Sequence, residues 1–156
     1  MEITKEMYDI VAQIADLYRD AIKNSGHSAS HRLENFRTEV RSVDKYFEVY
    51  FLLEGYWKYL ENGRRAGRFP PPDAILKWIK VKPIVPHAIN NRVPSTEQLA
   101  FLIARKIATY GTPATKLLQN TMDSSQTDTL IDQLCDIILK QIEEETNKYI
   151  DDEVLE

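Results

Sequence analysis

The stretch FRTEVRSVDKYFEVYFLL, residues 36–53, decides the fold class of this chain. Over residues 36–42, small or apolar side chains alternate with charged ones, which is the two-residue period of a half-exposed strand. Residues 46–53 are apolar or aromatic on nearly both faces, so we expect them to form the interior strand of a small antiparallel sheet. Asp44 and Lys45 are expected to turn the chain between the two strands.

Helical patterns lie on both sides of this hairpin. Apolar residues recur at three- and four-residue steps over residues 1–25, which predicts an N-terminal helix. Pro72 and a capping box that begins at Ser95 open two further helices. An apolar stripe with acids on the opposite face predicts a long C-terminal helix over residues 126–150. The predicted fold is therefore α+β: a small antiparallel sheet packed by several helices, with N-terminal and long C-terminal helices.

Length and composition fit one domain, residues 1–156, in which residues 36–122 form a sheet-and-helix core between the terminal helices. The apolar fraction is 43%, which is enough to bury a core. No apolar run approaches the roughly 18 residues that span a bilayer. Residues 1–6 lack the features of a signal peptide. We expect a soluble product that is made in the cytoplasm and has no membrane partner.

Charge is distributed unevenly along the chain. The net charge is −4, but residues 1–57 carry −3, residues 58–92 carry +6, residues 93–118 carry +2 and residues 119–156 carry −9. A basic middle and an acidic C-terminal third can attract copies of the same chain head to tail, or dock a charged partner at each end. The alternative is that differently charged solvated faces have no specific role.

Sequence patterns for catalysis and for metal binding are missing. An enzyme needs a nucleophile with a base, a metal cluster or paired carboxylates in a cleft, and no such pattern is visible. Cys135 lies among apolar residues of the predicted last helix, so we expect a buried, unreactive thiol. His27 and His31 have the spacing of a helical metal pair, but they lie in a Ser-rich loop without a third ligand. The sequence predicts a protein that is not an enzyme and has no cofactor.

The stretch GRRAGRFPPP, residues 63–72, is the most polar feature of the chain. It lacks the Gly-Lys-Ser/Thr ending of a P-loop and the G-x-G-x-x-G of a dinucleotide site. Its three guanidiniums, on a flexible loop, can contact a phosphate backbone or an acidic protein surface. An ordinary solvated turn is the alternative. With the lysines that follow, the candidate partner-binding or DNA-channel contacts are Arg64, Arg65, Arg68, Lys77, Lys80 and Lys82.

An ordered set of motifs lies between residues 56 and 122. YWKYLENG begins at Tyr56, and we interpret its aromatic residues as the packed edge of the sheet rather than as a base-stacking platform. PPDAILKWIKVKP (71–83), PSTEQLAFLIARKI (94–107) and Gly111-Thr112 follow. The first motif resembles the Tyr-x-x-Tyr-hydrophobic-Glu-x-Gly signature of phage tail-completion or head–tail connector proteins. Together the motifs are similar to neck proteins of Bacteroidales phages and prophages, including the crAss-like group, over roughly residues 46–122.

The resemblance implies a small α+β subunit that assembles as a ring in the virion neck, between the portal and the tail. Such a ring joins portal to tail and surrounds the DNA passage, and its subunits carry no catalytic residues. The implied partners are other copies of the chain, adjacent portal, neck or tail proteins, and genomic DNA contacted without sequence specificity. The implied location is the virion. The predicted terminal helices extend beyond the motifs.

Assembly into a ring requires a heterologous contact, in which one patch docks on a different patch of the next copy. The basic segment 58–92 and the acidic C-terminal helix are the candidate halves of that contact, or of contacts with adjacent rings. In this interpretation the binding surface is supplied by the loop of residues 63–72, which we call the arginine loop. The residues that we expect to lie mainly in the core are Trp78, Leu99, Leu102, Ile103 and Ile107.

Two rival interpretations remain open. A phage accessory protein could bind duplex DNA through Arg64, Arg65 and Arg68, although an acidic net charge is unusual for a nucleic-acid binder. A nuclease or hydrolase is less favoured, because the acidic residues lie on a predicted solvated helix rather than beside a His or Lys in a pocket.

Overall fold

The computed structural model describes residues 2–27, 33–43, 46–82, 84–88 and 92–154. Within these ranges the chain forms six helices and a two-stranded antiparallel sheet, which confirms the predicted α+β class with its N-terminal helix and long C-terminal helix. The elements in chain order are α1 (Lys5–Asn24), β1 (Arg37–Val43), β2 (Tyr46–Leu52), α2 (Trp57–Asn62), α3 (Pro72–Val81), α4 (Thr96–Tyr110), α5 (Leu117–Met122) and α6 (Ser125–Val154).

Helix α1 is the element around which the core is built, since β1, α5 and α6 all pack against it. Thr4 caps its first turn by accepting a hydrogen bond from the Met7 amide at 3.3 Å. Burial of a large aliphatic side chain contributes about 1.5–3 kcal/mol, and α1 contributes much of the apolar core. Its buried residues are Met7, Ile10, Val11, Ile14, Ala15, Tyr18 and Ile22.

The sheet pairs β1 with β2 in antiparallel register, with Val40 opposite Val49. The prediction that β2 is an interior strand is wrong, because among the described residues the sheet has two strands and each is an edge. Helices cover the apolar face of the sheet instead of a third strand. Phe51 packs there against a buried cluster that we call the α1 cluster, and Tyr46 is 71% exposed on the other face. The members of the α1 cluster are Ala15, Tyr18, Ile22, Leu33 and Phe36. The turn predicted at residues 44–45 lies outside the described residues.

The aromatic stretch from Tyr56 to Tyr59 belongs to a helix rather than to a sheet edge, so that prediction is wrong. A turn at Gly55 starts α2, and Trp57 and Leu60, three residues apart, both pack against the α1 cluster. Tyr56 and Tyr59 lie on the exposed side of the same helix. The three-residue spacing of the two buried side chains is helical, and it outweighs the strand preference of the aromatic residues.

Helices α3 and α4 pack against each other. The predicted capping box is confirmed: the Gln98 amide donates to Ser95 Oγ at 3.3 Å, and the Ser95 amide donates to Gln98 Oε1 at 2.9 Å. Small side chains at Ala100 and Ala104 allow the two helices to approach closely, and both are fully buried. Trp78 is 43% exposed, so its assignment to the core is wrong. Leu99, Leu102, Ile103 and Ile107 are half-buried in this helix pair.

Helix α6 is longer than the predicted 126–150, and its apolar residues that pack against the body lie in its first half. One apolar stripe of α6 contacts Met7, Ile10 and Ile14 of α1. The stripe consists of Leu130, Leu134, Ile137 and Ile138. The helix begins after Ser124, whose Oγ accepts a hydrogen bond from the Thr127 amide at 3.3 Å. Apolar residues on the other side of the helix are exposed, so the stripe predicted from periodicity is divided between two faces.

From the pKa of the Tyr18 hydroxyl we predict how the free energy of unfolding changes at high pH. Burial raises the pKa of Tyr18 to about 12, although the hydrogen bond that Trp57 Nε1 donates to the hydroxyl oxygen opposes this. The unfolded pKa is about 10, so the folded state holds the proton more tightly. The free energy of unfolding therefore falls as the pH rises from about 10 to about 12.

Urea denaturation at a series of alkaline pH values measures this dependence. We expect Tyr18→Phe to flatten the decline, because the replacement cannot ionise. Tyr110→Phe, at a tyrosine that is largely exposed, should leave the decline unchanged. An identical slope in wild type and Tyr18→Phe would contradict the assignment.

Candidate interaction surface

The arginine loop is fixed at its base by a crossing with the segment that follows α4. The Arg64 amide donates to the Thr112 carbonyl at 3.0 Å, and the Thr112 amide donates back to the Arg64 carbonyl at 2.9 Å. Further along, the Gly67 amide donates to the Ala108 carbonyl at 2.7 Å. The loop is therefore hydrogen-bonded to the end of α4 and to the residues that follow it.

Two glycines allow this crossing. Gly63 has φ 71° and ψ −174°, and Gly111 has φ 72° and ψ −161°, a backbone region that is essentially restricted to glycine. A Cβ on Gly63 would lie 2.5 Å from the Thr112 carbonyl oxygen, and one on Gly111 would overlap the Arg64 carbonyl oxygen. The two glycine-containing motifs quoted from the sequence are therefore in contact.

Glu61 completes the crossing by capping the next helix. Its carboxylate oxygens accept hydrogen bonds from the Leu118 and Gln119 amides, each at 3.0 Å. These are the second and third residues of α5, which an N-cap side chain normally serves. Lys116, the N-cap residue itself, has φ 52° and makes no side-chain cap. The buried carboxylate of Glu61 therefore satisfies amides that the local sequence leaves unpaired.

The Arg64 side chain makes its contacts within this loop and with the neighbouring helix α2. Its guanidinium donates to the Arg68 carbonyl at 2.9 Å, and its Cζ lies 6.0 Å from the centre of the Tyr59 ring. The side chain is half-buried, whereas Arg65 and Arg68 are exposed. Arg64 therefore holds the loop in shape, and Arg65 and Arg68 are the two arginines of the loop whose charge is exposed.

The three predicted lysine contacts divide in the same way. Lys77 and Lys80 are exposed on α3, but Lys82 donates from Nζ to the Gly26 carbonyl at 2.9 Å and lies 5.8 Å from the Trp78 ring. Lys82 therefore joins the end of α3 to the end of α1. Its charge is less available to a partner than those of Lys77 and Lys80.

Lys80 also influences the first turn of α4. A backbone hydrogen bond within Glu97 and a hydrogen bond from Ser95 Oγ at 2.8 Å lower the pKa of Glu97, and the Lys80 charge adds to this. The Gly67–Ala108 hydrogen bond and the proximity of Lys80 to Glu97 lie at opposite ends of α4. The chain from the arginine loop through α3 therefore runs back along α4. The arginines of the loop and the lysines of α3 thus belong to one packed unit, residues 63–110, which we call the basic unit.

Apolar side chains share this basic unit. The rings of Phe69 and Phe101 lie 5.6 Å apart, and both are partly exposed, as are Trp78 and Val81. Beside the first turns of α4 is a groove of about 600 Å³, which we call the α4 groove. Its lining residues are Arg92, Val93, Pro94, Glu97, Gln98, Phe101 and Leu102. The sequence indicated this region by its charge, and the helical spacing of Trp78 predicted a buried residue there instead of an exposed one.

The outer face of α6 is the acidic counterpart. Ile131, Leu139 and Ile142 are exposed along it, and Cys135 is exposed as well, so the prediction of a buried thiol is wrong. Exposed acidic side chains lie on the same helix, namely Asp128, Asp132, Asp136, Glu143 and Glu144. The helix therefore exposes both apolar and acidic groups.

No family model, curated protein or solved structure matches this chain.

The described residues contain no candidate metal centre. Those ranges contain no cluster of three or more His, Cys, Asp or Glu residues that could hold a metal ion. His27 is described, but His31 lies outside the described residues, so the pair proposed from the sequence has no measured geometry. None of the described helices is long and apolar enough to cross a membrane.

The glycine crossing makes a specific prediction about stability. Gly111→Ala should destabilise the fold by more than about 1 kcal/mol, the usual minimum cost of such backbone strain, because the new Cβ would also overlap the Arg64 carbonyl. Gly26→Ala is the matched control: Gly26 has φ 68°, but a Cβ there meets no atom within 4 Å. Thermal denaturation of both variants measures the difference. Equal losses would show that the crossing is not tightly packed.

Proposed function

We propose that this protein is a structural subunit of the head–tail neck of a tailed bacteriophage, where copies form a ring between the portal and the tail around the DNA passage. The observation that carries the proposal is that two separate surfaces combine exposed apolar side chains with opposite net charge. The motifs at residues 56–63, 71–83, 94–107 and 111–112, which resemble phage neck proteins, supply the class of assembly.

The opposite charges are well matched in size. Residues 63–110, which contain the arginine loop, α3 and α4, have nine Lys and Arg against Asp73 and Glu97, a net charge of +7. Helix α6 has nine acids against Lys140 and Lys148, a net charge of −7. Complementary surfaces of this kind steer association and fix its orientation.

Exposed apolar side chains give such a contact its stability. Trp78, Val81 and Phe101 are exposed on the basic unit, and Leu139 and Ile142 on α6. Contiguous apolar surface rimmed by polar groups marks protein interaction sites. A contact between two different surfaces of identical subunits is heterologous, and it forms a ring when the rotation closes.

A second candidate function is non-specific binding of duplex DNA through the basic loop. The exposure of Arg65 and Arg68, which the crossing holds at one edge of the α3–α4 unit, favours it. Guanidiniums contact phosphates without reading base sequence. In the neck, the same two side chains could line the DNA passage, so this contact is compatible with assembly.

Self-association should depend on salt. At low ionic strength we expect sedimentation velocity to detect oligomers of wild-type protein, and at high ionic strength we expect their dissociation, because salt screens exposed charges beyond about 3 Å at 1 M. A protein that sediments as a monomer at both salt concentrations, even with portal and tail proteins added, would contradict the assembly role.

A gel shift with random duplex DNA tests the second candidate. If DNA binding is the main function, wild-type protein should shift DNA at moderate salt, and Arg65→Gln with Arg68→Gln should weaken the shift strongly. Arg64 is kept in both proteins because it supports the loop. The assembly role predicts at most a weak shift in either protein, and weaker self-association of the variant at low salt, because two exposed cations of the basic surface are lost.

A further inference from the structure

The C-terminal part of α6 carries exposed apolar side chains. Residues 139–154, which we call the arm, follow Ile138, the last residue of α6 in the apolar cluster with Met7, Ile10 and Ile14, and Gln141 of the arm is half-buried. At 1.5 Å per residue these sixteen residues extend about 24 Å. Leu139 and Ile142 are 56% and 49% exposed, and Ile150 is exposed as well. Because residues three or four apart lie on the same side of a helix, Leu139 and Ile142 form one apolar patch on the arm.

The α4 groove has a suitable size and lining for such a helix. Val93, Pro94, Phe101 and Leu102 provide apolar surface, and Arg92 provides a cation at the same site. Sites of about 300–1,000 Å³ with mainly apolar linings are typical of binding pockets. Grooves of this kind accept amphipathic helices through apolar anchors spaced by three or four residues.

Charge determines which surface the arm prefers. Residues 139–154 contain six acids and two lysines, a net charge of −4. Pairing between the arms of two copies would bring like charges together, which is unfavourable. The α4 groove lies on the unit of net charge +7, with Arg92 in its lining and Lys80 beside Glu97.

We propose that the arm of one copy docks in the α4 groove of the next copy, with Leu139 and Ile142 as its apolar anchors. Arg92 and Lys80 then face the acids of the arm. The inference rests on the proposed function, since it names the contact that joins neighbouring subunits. Each copy uses its arm on one side and its groove on the other, so addition continues until a ring closes.

Two complementary variants test this contact. The arm variant carries Leu139→Ser and Ile142→Ser, and the groove variant carries Val93→Ser and Phe101→Ser. All four side chains are exposed in the single chain, so both variants should keep wild-type circular dichroism. Each variant alone should self-associate at least about tenfold more weakly, because buried apolar anchors dominate interface affinity. Tyr46→Ser, at an exposed residue of β2, is the control and should assemble like wild type.

Mixing the two variants gives the decisive measurement. The intact arm of the groove variant fits the intact groove of the arm variant, so sedimentation of an equimolar mixture should show a one-to-one dimer and nothing larger. A mixture that stays monomeric, or a groove variant that assembles like wild type, would overturn the arm–groove contact. Assembly through other surfaces would still leave the neck function intact, whereas absence of the protein from virions would remove that function without affecting this binding measurement.

Discussion

The Glu61 carboxylate and the backbone crossing beside it hold together the two parts of this molecule. Glu61 caps α5 from a distant part of the sequence. Three residues after Glu61, the backbone of Arg64 both donates a hydrogen bond to Thr112 and accepts one from it. A buried carboxylate is costly unless its oxygens are satisfied, and here two amides satisfy them. On one side of the crossing lies the α1 core, and on the other lies the α3–α4 unit with its cations.

This constraint determines what each charged residue can do. Because the crossing and the Arg64 guanidinium shape the loop, only Arg65 and Arg68 of its three arginines remain exposed. Lys82 joins α3 to α1 in a similar way. The basic unit is thus presented on a defined support, and α6, packed on the other elements of the core, presents the acidic surface. A heterologous contact requires two such different surfaces on one chain.

Local signals in the sequence predicted much of the fold. Pro72 and the Ser95 capping box marked the starts of two helices correctly, because each acts through its own backbone or through residues within one turn. Helix α2 was missed because aromatic residues favour strands, and the decisive fact was the contact of Trp57 and Leu60 with α1. The capping role of Glu61 could not be predicted, since its partners lie 57 and 58 residues away.

The candidate surface was predicted less completely than the fold. Charge counting found the basic and acidic regions, because charge is a property of the sequence alone. Periodicity placed Trp78 in the core and Cys135 among buried residues, yet both are exposed. A helical pattern identifies which residues share a face, but tertiary packing decides whether that face is covered. The groove beside α4 depends on that packing and has no signature in the sequence.

The most direct test of the proposed neck function is the presence of this protein in phage particles. Quantitative mass spectrometry of density-purified virions should find its peptides at a fixed ratio to those of the portal protein. The same ratio should persist in necks released from disrupted particles. Abundant protein in the infected cell, with none in purified virions, would contradict the account.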